Sequence, residues 1–227
     1  MNRLLLKILW SVGGQGDAID GLPRVWGAEI STHMEIFQPG DFLLLGNSGV
    51  ASHVAVYVGG GSIVHSMATE KTMRGFMGSI WDAIWRPWRW LRGTMDQTGV
   101  MEESLTGFLD RYERDTWISL RADVDESQRD EGIRHIRSLV GRPYDYYFEA
   151  DDDTYYCTEI VVEFLNAALK PTERPRFGTR KVHVPGLLNS HVIEPVALLG
   201  TEKLRVVAAN GAATTRYAEH LEAAKVV

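Results

Sequence analysis

Two short apolar runs joined by three glycines constrain this chain more than anything else in it. Ser52-His53-Val54-Ala55-Val56-Tyr57-Val58 has the β-branched and aromatic content of a strand, Gly59-Gly60-Gly61 turns it, and Ser62-Ile63-Val64-His65-Ser66 returns. Glycine accepts the positive backbone angles of a tight reversal without steric cost. The expected product is a β-hairpin with one histidine in each arm, His53 and His65. Whether both rings share a face depends on period-two alternation, which the even separation of twelve residues permits but the turn can reset. An imidazole among such apolar neighbours is costly unless it finds a partner.

Other elements follow from local patterns. Pro39-Gly40-Asp41 is turn chemistry ahead of Phe42-Leu43-Leu44-Leu45, a run suited to a buried strand, with 46–49 as a loop. Thr116-Trp117-Ile118-Ser119-Leu120 reads as a further strand. Asp125-Glu126-Ser127 opens a helix through Ile133, Ile136, Leu139 and Val140, which Gly141 and Pro143 close. A second helix runs from Cys157 to just before Pro171, with Ile160, Val161, Phe164 and Leu165 on one stripe and Asp151-Asp152-Asp153 available as caps. Segment 67–109 shows no regular pattern, 185–190 reads as a loop, and 192–199 and 204–209 read as late strands. The order strands, long insert, helices, strands is an α+β plan. The 227 residues suit a single catalytic domain with a core over about 38–200, a partly helical extension over 1–37 and a helix-prone tail over 208–227.

Composition narrows the classes of function. A net charge of −6 with scattered lysine and arginine gives no nucleic-acid footprint. One cysteine excludes an intrachain disulfide and a cysteine-rich zinc site, and no HExxH-like spacing calls for a metal or cofactor. Lys7 interrupts the apolar run at the start, no Ala-x-Ala-type cleavage site follows, and no stretch reaches the roughly 20 apolar residues of a spanning helix. The default expectation is the cytoplasm, with release by lysis, in a virion or through a dedicated secretion system as other routes. The run Trp81 to Arg92 interleaves four tryptophans with three arginines. It suits a membrane-interface contact or a ligand groove, or else tryptophans on the core with arginines reaching outward.

Cys157 stands at the expected first turn of its helix, where unpaired N–H groups and the positive dipole end favour a thiolate. Its plain alternative is a small buried hydrophobe. A catalytic thiol needs an imidazole, and that imidazole needs a third group to fix its tautomer. His53 and His65 offer that pair. His33, His135, His183, His191 and His220 lack such a setting.

These segments together resemble the circularly permuted NlpC-type, papain-like cysteine peptidases of the YaeF/YiiX group. Ser52 to His65 resembles the family's histidine strand and the strand after it, and Pro39-Gly40-Asp41-Phe42-Leu43-Leu44 its opening strand. Gly141-Arg142-Pro143-Tyr144-Asp145 resembles the segment before the cysteine, and Tyr156-Cys157-Thr158-Glu159-Ile160-Val161 the helix start. Histidine before cysteine is the permuted order. One departure stands out: such proteins often carry glutamate where His65 stands, while a second histidine resembles the lecithin:retinol acyltransferase relatives. The cysteine motif, Tyr-Cys-Thr-Glu-Ile, differs from the Asn-Cys-Glu-His-Phe of those acyltransferases.

The resemblance implies a papain-like fold, a small antiparallel sheet or barrel packed on helices, with the catalytic cysteine at a helix N-terminus. It implies Cys157 as nucleophile, His53 as base and His65 as orienter in acyl transfer through a thioester. The Cys157 amide would be one oxyanion donor and the Tyr144 hydroxyl a second, with Ser52, Thr158 and Glu159 as further oxyanion or substrate-binding side chains. The leading expectation is a cysteine hydrolase of peptide or peptidoglycan-type amide bonds. A lipid-directed phospholipase or acyltransferase is the alternative, supported by His65 and the Trp/Arg run. A third is an inactive binding or structural module.

Overall fold

The computed structural model describes residues 34–47, 50–67, 99–111, 116–145, 153–184, 188–210, 213, 217 and 225–226. Pro39 and Gly40 form a turn closed by the Asp41 amide donating to the Gln38 carbonyl at 3.0 Å, with Gly40 at φ +89° in the position that favours glycine. The turn launches β1 (Asp41–Asn47), which pairs antiparallel with β2 (Val50–Gly59). The glycine turn then returns the chain as β3 (Ser62–Met67), with Val56 opposite Val64 and Tyr57 opposite Ile63. The expected hairpin is present, with a register shift between Tyr57 and Gly59.

Alternation along β2 builds two cores, one on each face of the sheet. Val54, Val56 and Val58 join the larger cluster, with Phe42 and Leu44 of β1. Ala55 and Tyr57 join the other, with Leu43 and Leu45. Because both faces are covered, the central strands read as nearly continuous apolar runs rather than as alternating ones. The larger core is capped by α2 (Glu126–Ser138) and α3 (Cys157–Ala168), the smaller by α1 (Leu105–Arg111) and by the 3-10 turn Met34–Ile36 with Phe37. Phe37, placed by its sequence in the N-terminal extension, meets Trp117 edge-on at 5.7 Å.

Among the described residues the sheet has seven strands, ordered β4-β3-β2-β1-β5-β8-β9, where β4 is Gly99–Ser104, β5 Thr116–Ala122, β8 Leu204–Ala209 and β9 Lys225–Val226. Pairing is antiparallel except between β8 and β9. A separate ribbon joins β6 (Arg180–Val184) to β7 (Leu188–Val192).

Four local expectations change. Segment 67–109 contains β4 and most of α1. β4 holds two glutamates and gains its strand character from pairing with β3 and from bonds between Val100 and the turn at Gly141 and Arg142, which no local pattern reveals. The 185–190 loop is partly strand, since β7 begins at Leu188. Residues 195–198 are a 3-10 turn rather than strand, because Pro195 at its first position has no N–H for a ladder. The tail carries buried Ala213 and Tyr217 and the strand β9. The Trp81 to Arg92 run lies outside the described residues.

Asp41 ties the start of the sheet together. Its fully buried carboxylate accepts from Arg121 Nε at 2.7 Å, Arg121 Nη2 at 2.8 Å and the Gln38 amide at 2.8 Å, while Arg121 Nη2 also reaches the Ile36 carbonyl at 3.2 Å. The pair raises the Arg121 pKa, mainly through the hydrogen bond to Asp41, so the guanidinium stays charged. Asp41→Ala leaves that partly buried charge without its carboxylate, held by the Ile36 carbonyl. Urea denaturation should show a loss of about 3 kcal/mol, the lower end for a half-buried partner; a loss within about 0.5 kcal/mol would show a pair with no structural role.

Candidate active site

The turn before Cys157 is held from several sides. The Tyr155 amide donates to the Pro143 carbonyl at 3.0 Å, and the Tyr155 carbonyl accepts from the Asp145 amide at 3.2 Å. Tyr144 is thereby bridged to Tyr155 in a parallel pairing, two residues from the cysteine. From the sheet, the Ser66 hydroxyl donates to the same Tyr155 carbonyl. The Tyr156 hydroxyl accepts from the Ile193 amide at 3.1 Å, and burial is the main cause pushing its pKa up.

Helix α3 opens at Cys157 with Tyr156 as its extended N-cap. The capping expected of the aspartate run comes instead from Glu159, whose carboxylate accepts from the Tyr156 amide at 2.9 Å. Asp153 is exposed and 3.5 Å from Arg142, and Asp151 and Asp152 lie outside the described residues. Glu159 therefore holds the helix start, and its carboxylate is engaged there. Thr158 is fully buried with its hydroxyl 3.9 Å from Cys157 Sγ, and Ser52 is exposed beside His53 in β2.

The Cys157 sulfur sits against β2. The Val54 amide hydrogen-bonds it, joined by the Thr158 hydroxyl and by the Thr158 and Cys157 amides, all of which favour the thiolate. Burial is the larger effect and raises the thiol above its ordinary pKa. This runs against the expectation of a thiolate favoured at the helix start, because burial disfavours the charged form.

His53 and His65 face away from α3, toward α1. His53 Nε2 lies 2.9 Å from His65 Nδ1, and His65 Nε2 lies 2.8 Å from Glu103 Oε1 of β4. The two rings are nearly perpendicular at 86°, and Phe108 of α1 stacks on His53 at 5.5 Å and meets His65 edge-on at 5.0 Å. Both histidines are buried, His65 completely. The structure thus joins His53 to His65 and brings the residue after His53 to the Cys157 sulfur. Glu103 and Phe108 were missed in the sequence, since both come from the segment that showed no pattern. The register Ile63↔Glu103 and His65↔Met101 puts Glu103 diagonal to His65 on one face.

A family model described as permuted papain-like amidase enzyme, YaeF/YiiX, C92 family, matches residues 30–208. The chain belongs to that family. As a YaeF/YiiX, C92 family member it is a papain-like cysteine hydrolase acting on amide bonds, with substrates of peptide or peptidoglycan type the class implied. A solved structure from Escherichia coli O157:H7, titled as metalloprotein yiiX, is similar at a TM-score of 0.45 and 15% identity, covering 75% of this chain and 96% of that one. No curated protein matches the chain. Among the described residues, no group of three or more His, Cys, Asp or Glu side chains is arranged to hold a metal ion, and no helix is long and apolar enough to cross a membrane.

The raised thiol pKa has two readable consequences. Iodoacetamide alkylation of Cys157 should keep accelerating as pH rises past the free-thiol value of about 8.5; a plateau already reached at neutral pH would reveal a resting thiolate. The same group contributes stability that is complete below the unfolded thiol pKa and is lost as pH rises through the higher folded value. Cys157→Ala should therefore flatten the alkaline decline of stability in urea titrations between about pH 8 and 10, where the unfolded thiol ionises. An identical decline in both proteins would place the buried titration elsewhere.

Proposed function

We propose that Cys157 is the nucleophile, His53 the base and His65 its orienter in hydrolysis of a peptide or peptidoglycan-type amide through a thioester. One observation carries this reading. The amide next along the strand from His53, that of Val54, holds the Cys157 sulfur, and His53 Nε2 lies 2.9 Å from His65 Nδ1.

The resting thiol sets the order of events. As sulfur attacks the scissile carbonyl, its proton passes to His53, whose ring faces α1 at rest and must swing toward the α3 side to receive it, so charge appears when the substrate is in place. The carbonyl oxygen becomes an oxyanion within reach of the Cys157 amide at the helix N-terminus, with the Tyr144 hydroxyl as the second donor. His53 returns its proton to the departing amine, and the thioester remains on Cys157. Water, deprotonated by His53, then releases the acyl group. Ser52 is exposed beside His53 and within reach of a substrate, while Thr158, fully buried, supports the thiol from beneath. Glu159 acts through the helix cap.

The test is acyl trapping. Brief incubation with p-nitrophenyl acetate should add one acetyl group to Cys157, read by intact mass and peptide mapping, with no adduct in Cys157→Ala. His53→Ala should slow turnover by about 10²- to 10⁴-fold, the usual contribution of a general base. Peptidoglycan fragments and phospholipid vesicles offered side by side should give amide cleavage from the first only. Acetylation away from Cys157, or an unchanged rate in His53→Ala, would sink the assignment; acyl transfer from the vesicles alone would move it to lipid chemistry.

A further inference from the structure

We infer that the β6–β7 ribbon is a substrate-recognition wall of the site, where Lys181 and His191 receive the carboxylates of an acidic peptide. The inference rests on the assignment of Cys157 as nucleophile and names the kind of peptide it meets. Cations are concentrated in this part of the chain. Residues 170–191 hold five lysines and arginines against one glutamate, in a protein whose net charge is −6. Two of those cations are engaged: Arg174 gives Nη2 to the Asn166 carbonyl at 2.7 Å, and Arg180 pairs with Glu194 at 2.9 Å. Lys181 is exposed and makes no ion pair among the described residues.

Register puts Lys181 beside His191. The two stand opposite each other in the antiparallel ribbon, so their side chains project from one face, and both are exposed. An ammonium brings three donors and a neutral imidazole one, a set that suits the two oxygens of a carboxylate.

The chain leaving the ribbon ties it to the surroundings of the cysteine. Two residues after His191, the Ile193 amide donates at 3.1 Å to the hydroxyl of Tyr156, the N-cap residue adjoining Cys157. Fully buried Leu198, farther along, joins the same core cluster as Val54, whose amide holds the sulfur. The Arg180–Glu194 pair fastens β6 to this exit segment. His191 is thus about 7 Å of strand from the Tyr156 contact, within the span of a short peptide. Cys157 is only partly buried, so a peptide lying on the ribbon can reach it. Asp153, the exposed acid ahead of the helix start, is offset by Arg142 at 3.5 Å and does not reverse the sign of the field.

A single exposed charge pair changes affinity by at most about fivefold and fades with salt, so the probe carries two acids. It is a fluorescein-labelled, C-terminally amidated Ala-Ala-Glu-Glu-Ala-Ala peptide, set beside its Gln-Gln twin. Binding is read by fluorescence anisotropy on the full chain with Cys157→Ala, so that no turnover intervenes. At low salt the acidic peptide should bind about tenfold more tightly than its twin, and the difference should shrink as salt rises. Lys181→Glu should weaken its binding about tenfold and His191→Ala about twofold. Lys170→Glu, beyond the far end of α3 and about 20 Å along its axis from Cys157, should leave it unchanged. In the wild-type chain, acidic peptide at about ten times its Kd should slow iodoacetamide alkylation of Cys157 about tenfold. Equal binding of the two peptides, unchanged affinity in Lys181→Glu, an equal loss in Lys170→Glu, or binding that leaves the alkylation rate untouched would each overturn the inference. Failure of p-nitrophenyl acetate to acetylate Cys157 would instead overturn the nucleophile assignment, since the anisotropy measurement needs no turnover.

Discussion

The first turn of α3 is stitched to two strands at once, and the rest of the site follows from that seam. The paired register of β2 and β3 includes Val56 opposite Val64; further along, Val54 offers its amide to the cysteine and Ser66 its hydroxyl to the Tyr155 carbonyl. Backbone polar groups that would otherwise be orphaned in the interior find partners in the helix start. The body of α3 holds the seam closed. Phe164 meets Phe42 edge-on at 5.2 Å, and a Cβ on Gly132 would lie 2.7 Å from the Phe164 ring, so only glycine lets α2 come this close. Helix packing thus fixes the sulfur laterally, and sheet hydrogen bonds fix it in depth.

Much of this was legible because it is local. Pro39 and Gly40, the glycine turn and the apolar stripe of α3 each carry their instructions within a few residues, and the structure follows them. Asp125 and Gln128 close a capping box that starts α2 where its sequence begins to repeat. What was not legible is non-local. β4 is a strand because β3 and the turn after α2 supply its partners, and its own sequence of two glutamates argues against it. Phe108 and Glu103 were hidden with it. The thiol was misjudged for a related reason: the helix dipole can be read from a motif, whereas burial by distant elements cannot.

The histidine pair illustrates how a sequence departure acquires a physical meaning. Where the family resemblance implies a glutamate beside the base, this chain has His65, and a carboxylate, Glu103, stands one position farther along the hydrogen-bond chain, on β4. A fully buried imidazole would be expensive without partners on both nitrogens. His65 has both, one from each neighbouring strand.

The alternation of β2 has a consequence for how this chain can vary. Odd positions 53, 55 and 57 look toward Phe108, and even positions 54, 56 and 58 toward α3. Inserting or deleting a single residue in the glycine turn would exchange the two sets in β3, carrying His65 to the helix side and Val64 to the aromatic side. Surface turns usually tolerate changes of length freely. By the same alternation this one should not, since the number of residues between the two histidines sets which face each ring takes.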